Sequence, residues 1–439
     1  MDSEYQELTK EKINSTETLQ EYKVSIFIIN YMSQIYMVAY LPMNFPSVFA
    51  LDKLGLRYGV LIGITLTTLG LWLRVLINES FAWVIVGQTV MAIAQPFTYN
   101  APAKLSANWF GESERLYATA VAANANNLGI AVGYFIPSMF VTDDDMSVEG
   151  AVQDHSKWLM MSLAIAASCI LVPVVLFFQG IIYFMIFIDK PPTFPSLSSQ
   201  NNQIMQKGSS LKKDMISLLK NRNFMQTSVA NGMIMGYFFA LTTVLTQMIS
   251  LYDFTDSQSS QIGSTYLFAG IIGGIITSVI LTYQPRYKLV SIVITLATLG
   301  TYVLTYFAIL SKNYGFLMAS QVINGFIVIG VFSVAFELGV ELSYPIGEAT
   351  SGGLTNSIGN VVGFILVMIM TPILNSNKQI DVLICSILFI GVLVIAIILI
   401  VITKFELIRS KIDQQQIDNS KQFSGVTDWL DNSTNESKL

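Results

Sequence analysis

The chain has 439 residues, of which 53% are hydrophobic and only 12% charged, and its mean hydropathy is +0.57. Soluble domains carry roughly 25% charged residues, so this composition excludes an ordinary soluble fold. The formal net charge of −5 carries little information, because most acids sit in the tails and one loop. Both cysteines, Cys169 and Cys385, lie in apolar runs and read as buried thiols. The single histidine, His155, lies in an acidic loop. A histidine-based metal site, proton relay or haem ligand is therefore excluded. No cofactor, metal or nucleic-acid partner is expected, and no nucleophile–base pair marks an enzyme.

Residues 1–22 are polar and show no secretory signal, so the first apolar helix has to act as the insertion signal. A spanning helix needs about 20 mostly apolar residues. The sequence predicts eleven, at 25–50, 58–77, 81–103, 116–141, 158–188, 224–250, 262–283, 288–310, 315–341, 349–374 and 379–403. The first carries Pro42 and Pro46, which neighbouring helices tolerate in a membrane. The longest break, 189–222, opens as a flexible linker and closes on SLKKDMISLLKNRNF, a short basic amphipathic helix for the membrane face. The predicted organisation is a polar tail (1–22), an N-terminal bundle (23–188), a central loop (189–222), a C-terminal bundle (223–404) and a disordered tail (405–439).

Lysine and arginine set the orientation. Lys53 and Arg57, Lys104 and Arg115, the cluster 207–222, Arg286 and Lys288, and Lys404, Arg409 and Lys411 fall on one set of loops, expected to face the cytoplasm. The acidic loop DDDMSVEGAVQDH (143–155) is expected outside or in a lumen. An odd number of spans then puts the N-terminal tail outside as well, against its Lys10, Lys12 and Lys23. Of four sequons, at Asn14, Asn78, Asn432 and Asn435, Asn78 is the one on an outer loop whichever way the N-terminus lies.

Between the first two spans stands Leu51-Asp52-Lys53-Leu54-Gly55-Leu56-Arg57-Tyr58-Gly59. It resembles the loop signature of the major facilitator superfamily, without the leading glycine. Its physical logic is a gate: the glycine permits a tight turn, and Asp52 pairs with an arginine or caps a helix of the other bundle. One branch of that superfamily is resembled more closely by Gln95-Pro96-Phe97, Asn100-Ala101-Pro102-Ala103-Lys104-Leu105, Trp109-Phe110-Gly111 and Glu114-Arg115. The likeness continues through Asn126-Asn127-Leu128-Gly129, Gln247-Met248-Ile249, Phe336-Glu337 and Glu348-Ala349-Thr350-Ser351-Gly352-Gly353. This branch is the feline leukaemia virus subgroup C receptor-related transporters. The resemblance covers roughly residues 22–404. It implies an all-α major facilitator fold of two six-helix bundles, here with about eleven transmembrane helices. The family's first helix would precede Val24, and a truncated gene model is the expectation that follows. An internal echo accompanies the two-bundle reading: Glu114, Asn126 and Gly129 share their spacing with Glu348, Asn360 and Gly363.

Ionisable groups at membrane depth are functional candidates by default, and the predicted spans hold few. Asp52, Arg57, Glu114, Arg115, Glu341 and Glu348 read as gating residues. No midplane carboxylate or histidine relay is present, so downhill facilitation is expected. The interior is rich in amides and aromatics, including Gln95, Asn100, Gln247 and Tyr237. Amides orient a polar solute, and aromatic faces attract a quaternary ammonium; equally, amides hold helices together and aromatics pack. The resemblance implies choline, ethanolamine or haem as solute, with site positions falling on Asn127, Asn360 and Phe239. Asn127 and Asn360 stand where relatives have glutamines, one methylene longer. The expected partners are a small organic solute and the lipid bilayer, for a monomer in the plasma membrane or an organelle membrane. Transport of another organic solute, or a receptor-like or degenerate membrane scaffold, is the alternative.

Overall fold

The computed structural model describes residues 26–78, 80–140, 176, 179–181, 183, 210–376, 378–405 and 407–411. The predicted fifth span (158–188) lies outside the described residues except at 176, 179–181 and 183. So do the N-terminal tail, most of the C-terminal tail, the acidic loop with His155, Cys169, and the sequons at Asn14, Asn432 and Asn435.

Among the described residues there is no strand. Helix α1 (Ile26–Phe49) runs into a π-helical turn (Ala50–Leu54) and is followed by α2 (Leu56–Arg74), α3 (Phe81–Tyr99), α4 (Ala101–Trp109) and α5 (Glu112–Phe140). After the central loop come α6 (Leu211–Lys220), α7 (Arg222–Ser250), α8 (Asp256–Tyr283) and α9 (Tyr287–Leu310). The chain closes with α10 (Tyr314–Val328), α11 (Gly330–Ser343), α12 (Glu348–Leu374) and α13 (Gln379–Ile402). Eight helical stretches among the described residues are long and apolar enough to cross a bilayer, with α3–α4 and α10–α11 each forming one stretch. Helices α1 and α5, of 24 and 29 residues, also reach across about 30 Å.

The helices outrun the apolar windows where their ends are capped. Helix α8 begins at Asp256 rather than 262 because Thr255 Oγ1 accepts from the Gln258 N–H and Gln258 Oε1 from the Thr255 N–H, both at 3.2 Å. The predicted span 81–103 is instead interrupted at Asn100, where Pro102 in the first turn of α4 has no N–H to continue the ladder.

Helices α1–α5 form one group and α7–α13 another, and two seams join them: α1 lies on α12, and α5 on α8. Within the second group α7 and α12 approach closely through Gly232, Gly236, Gly359 and Gly363. A methyl at Gly236 would stand 2.9 Å from the Gly363 nitrogen. Helix α6 buries Met215 and Leu218 and exposes Lys212, Lys213 and Lys220. Ile216 and Leu219 stand exposed beside these lysines.

Candidate functional site

The signature loop becomes one half of a buried ionic cluster. The π-turn closes with the Gly55 N–H donating to Ala50 O at 3.0 Å. Gly55 takes φ 106°, a conformation that favours glycine. This turn carries Asp52 onto the start of α12, where Thr350 Oγ1 donates to Asp52 Oδ2 at 2.8 Å. A Cβ on Gly347 would stand 2.5 Å from the same oxygen. The carboxylate thus rests on a helix N-terminus, whose partial positive charge favours an anion. Its cation is Lys104 of α4. Lys104 Nζ lies 3.1 Å from Asp52 Oδ1 and 3.5 Å from Glu348 Oε2. Beyond Glu348, the Arg409 guanidinium stands 4.0 Å from Oε1, with only 1% of its side chain exposed.

Asp52, Lys104, Glu348 and Arg409 therefore alternate in sign through a buried line. Burial of charges is tolerable only in such paired arrangements. Asp52 and Lys104 belong to the first group, Glu348 and Arg409 to the second. The Lys104–Glu348 and Thr350–Asp52 contacts cross between the groups, while Asp52–Lys104 and Glu348–Arg409 lie within them.

The remaining predicted gating residues take different places. Arg115 is buried and borders a small space with Glu337, Glu348 and Arg409. Arg57 is half-buried in the first turn of α2, and Glu114 is exposed. Glu341 is tied to the segment after α13: it accepts from the Ser410 N–H at 3.1 Å and from Ser410 Oγ at 2.6 Å.

The predicted solute residues divide between seams and cores. Asn127 is buried on α5, where its Nδ2 donates to Asn124 Oδ1 at 3.2 Å. Asn124 in turn lies against α8, 2.8 Å from where a Cβ on Gly274 would be. Asn360 on α12 donates to the Asn356 carbonyl at 2.9 Å. Phe239 packs on α12 at Gly363, close to Met37 of α1. Gln95 and Gln247 each keep a buried Oε1 without a hydrogen bond. Asn100 is a brace within the first group: it accepts from the Tyr40 hydroxyl at 2.7 Å and donates to Asn44 Oδ1 at 2.8 Å and Ser47 Oγ at 3.2 Å. Tyr237 is packed inside the second group. Its ring stands edge-on to Tyr302 and Phe389 at 5.5 and 5.2 Å, and its hydroxyl accepts from Asn324.

Two further features stand beside these residues. Asn356, fully buried beside the Tyr40 hydroxyl, has neither amide atom in a well-formed hydrogen bond. A cavity of about 230 Å³ opens between the α3–α4 junction, α5 and α11, lined by Thr98, Tyr99, Asn126 and Phe336 among others. The Asn126-Asn127 tandem is the one trace of it that the sequence offers.

The Major Facilitator Superfamily model matches residues 13–367. The chain is 30% identical over 384 residues to the choline/ethanolamine transporter flvcr2a of Danio rerio, covering 84% of this chain and 78% of that one. It is 29% identical over 407 residues to the choline/ethanolamine transporter FLVCR2 of Homo sapiens, covering 91% and 74%. Among solved structures it superposes on the major facilitator transporter FucP with a TM-score of 0.64 at 15% identity, covering 88% of this chain and 92% of that one.

Proposed function

The chain belongs to the major facilitator superfamily, in the branch of feline leukaemia virus subgroup C receptor-related transporters, and on that premise we propose that it is a facilitative carrier for choline or a related small amine. It is a multi-pass membrane transporter. The observation that carries the mechanism is the partition of the ionic lock. Two halves that alternate access must separate at one end without stranding a buried charge, and Asp52–Lys104 and Glu348–Arg409 allow that. The locked end faces the cytoplasm in this reading, following the lysine and arginine distribution. The N-terminal bundle is 23–188 and the C-terminal bundle 223–404, working as a monomer within the bilayer. Asn127 and Asn360 border the solute path from the two seams, with Phe239 as the aromatic wall.

Uptake of radiolabelled choline into proteoliposomes, with and without an inward proton gradient, tests the reading. Saturable uptake indifferent to the gradient is expected, since no carboxylate lines the cavity among the described residues. Strong dependence on the gradient overturns facilitation, and absence of choline uptake overturns the substrate. Asn127→Ala and Asn360→Ala are each expected to slow uptake; unchanged uptake in both removes them from the path.

A further inference from the structure

The geometry points to an aromatic station for a small organic cation between Tyr99 and Phe336, next to the ionic lock and apart from Asn127, Asn360 and Phe239. It rests on the carrier reading above and adds a site to it. Its cavity, about 230 Å³ in volume, is bounded by the α3–α4 junction, by Ala122, Ala123 and Asn126 of α5, and by Phe336 of α11. It therefore lies between the two halves. Pockets for drug-sized ligands are larger, at about 300–1,000 Å³, so this one suits a solute of a few heavy atoms.

The lining is selective in its chemistry. None of the described lining residues carries a charge. Tyr99 stands edge-on to Tyr40 at 6.1 Å, and no hydrogen bond among the described residues engages its hydroxyl or the Asn126 amide. A packing defect between helices is apolar and dry, whereas this cavity offers two rings, one amide and the Thr98 hydroxyl. Aromatic faces hold a desolvated ammonium by cation–π attraction, and the Asn126 amide and Tyr99 hydroxyl supply polar groups for a solute hydroxyl, while Thr98 Oγ1 donates to the Gln95 carbonyl at 3.1 Å. Two alanines on α5 keep the space open.

Phe336 also separates this station from the lock. It lines the cavity on one side and the space around Glu337, Glu348 and Arg409 on the other. Its ring packs on α12, 3.1 Å from where a Cβ on Gly352 would be. A cation leaving toward the locked end must move this ring, so the station is the last stop before the gate.

Equilibrium binding to the full chain in nanodiscs tests this with three probes: choline, tetramethylammonium and the neutral isostere 3,3-dimethylbutan-1-ol. Tyr99→Leu is expected to weaken both cations about tenfold, the equivalent of about 1.4 kcal/mol, with little effect on the neutral isostere. Tyr99→Phe keeps the ring and loses less. Ala122→Leu fills the cavity and weakens both cations as Tyr99→Leu does. Equal loss for cations and isostere in Tyr99→Leu, or no loss in either Tyr99→Leu or Ala122→Leu, overturns the station. Wild-type chain that transports choline while these variants bind it normally leaves the carrier reading standing without the station. Wild-type chain that takes up no choline overturns the carrier reading, and tetramethylammonium binding then decides the station alone.

Discussion

The two sides of Phe336 differ in kind. On one side Asp52, Lys104, Glu348 and Arg409 stand in a buried line of alternating charge. On the other, the cavity is lined by Tyr99, Thr98 and Asn126, and none of its described lining residues is charged. The difference separates two tasks. Charges pair strongly when buried and make a closed gate, but a fixed charge in the path would hold a cation too firmly to release it. Aromatic faces and amides recognise the same cation with a weaker, reversible hold.

The largest expected effect tests the charged side. Lys104→Ala leaves Asp52 and Glu348 buried with no cation between them. Breaking a buried pair in this way costs about 3–5 kcal/mol, so the melting temperature and choline uptake should both fall sharply. The double variant Asp52→Asn with Lys104→Gln removes the whole pair of the first half and should recover much of the stability. A Lys104→Ala chain as stable and active as wild type would mean that the charges do not hold the halves together, and the contrast would collapse.

How much of this was legible depends on the range of the interaction. Helices were, because an apolar window of 20 residues states its own environment. The capped start of α8 was missed because its first turn, Asp256-Ser257-Gln258, is polar yet helical. Asp52, Lys104 and Glu348 each stand in a recognisable motif, but their pairing was not legible: Lys104 reaches Glu348 across 244 residues of sequence, and only the fold brings them together. The internal echo misleads at its first member, since Glu114 is exposed where Glu348 is buried. Asn100 and Tyr237 make their hydrogen bonds within their own helical groups, which the sequence alone does not show. Tyr99 and Phe336 lie 237 residues apart, and only the fold puts them on one cavity.

A third region sharpens the contrast at intermediate magnitude. Gln321 of α10 is fully buried with neither amide atom hydrogen-bonded, near the equally unpartnered hydroxyl of Tyr266. It is uncharged, as the cavity is, but lies inside the second group among α7, α8 and α10. An unsatisfied buried polar group costs about 1–3 kcal/mol, so Gln321→Leu should raise thermal stability by that order while choline uptake stays near wild type. Gained stability with lost uptake would instead place this amide on the solute path and redraw the boundary between packing and recognition.

The smallest expected effect concerns how the charged side is held from behind. Glu341 receives two hydrogen bonds from Ser410, the residue after Arg409, so the segment beyond α13 is anchored next to the lock. Ser410→Ala removes the hydroxyl bond and keeps the backbone one. A single hydrogen bond to a charged acceptor contributes about 1.5–3 kcal/mol, and with Ser410 half-buried the loss should fall at or below the lower end. The melting temperature is therefore expected to drop slightly. Uptake is expected to stay near wild type, because Arg409 and Glu348 both belong to the second group and their contact does not cross between the halves. A large fall in uptake from this one hydroxyl would mean that the strap forms part of the path, and the charged side could no longer be treated as a gate alone.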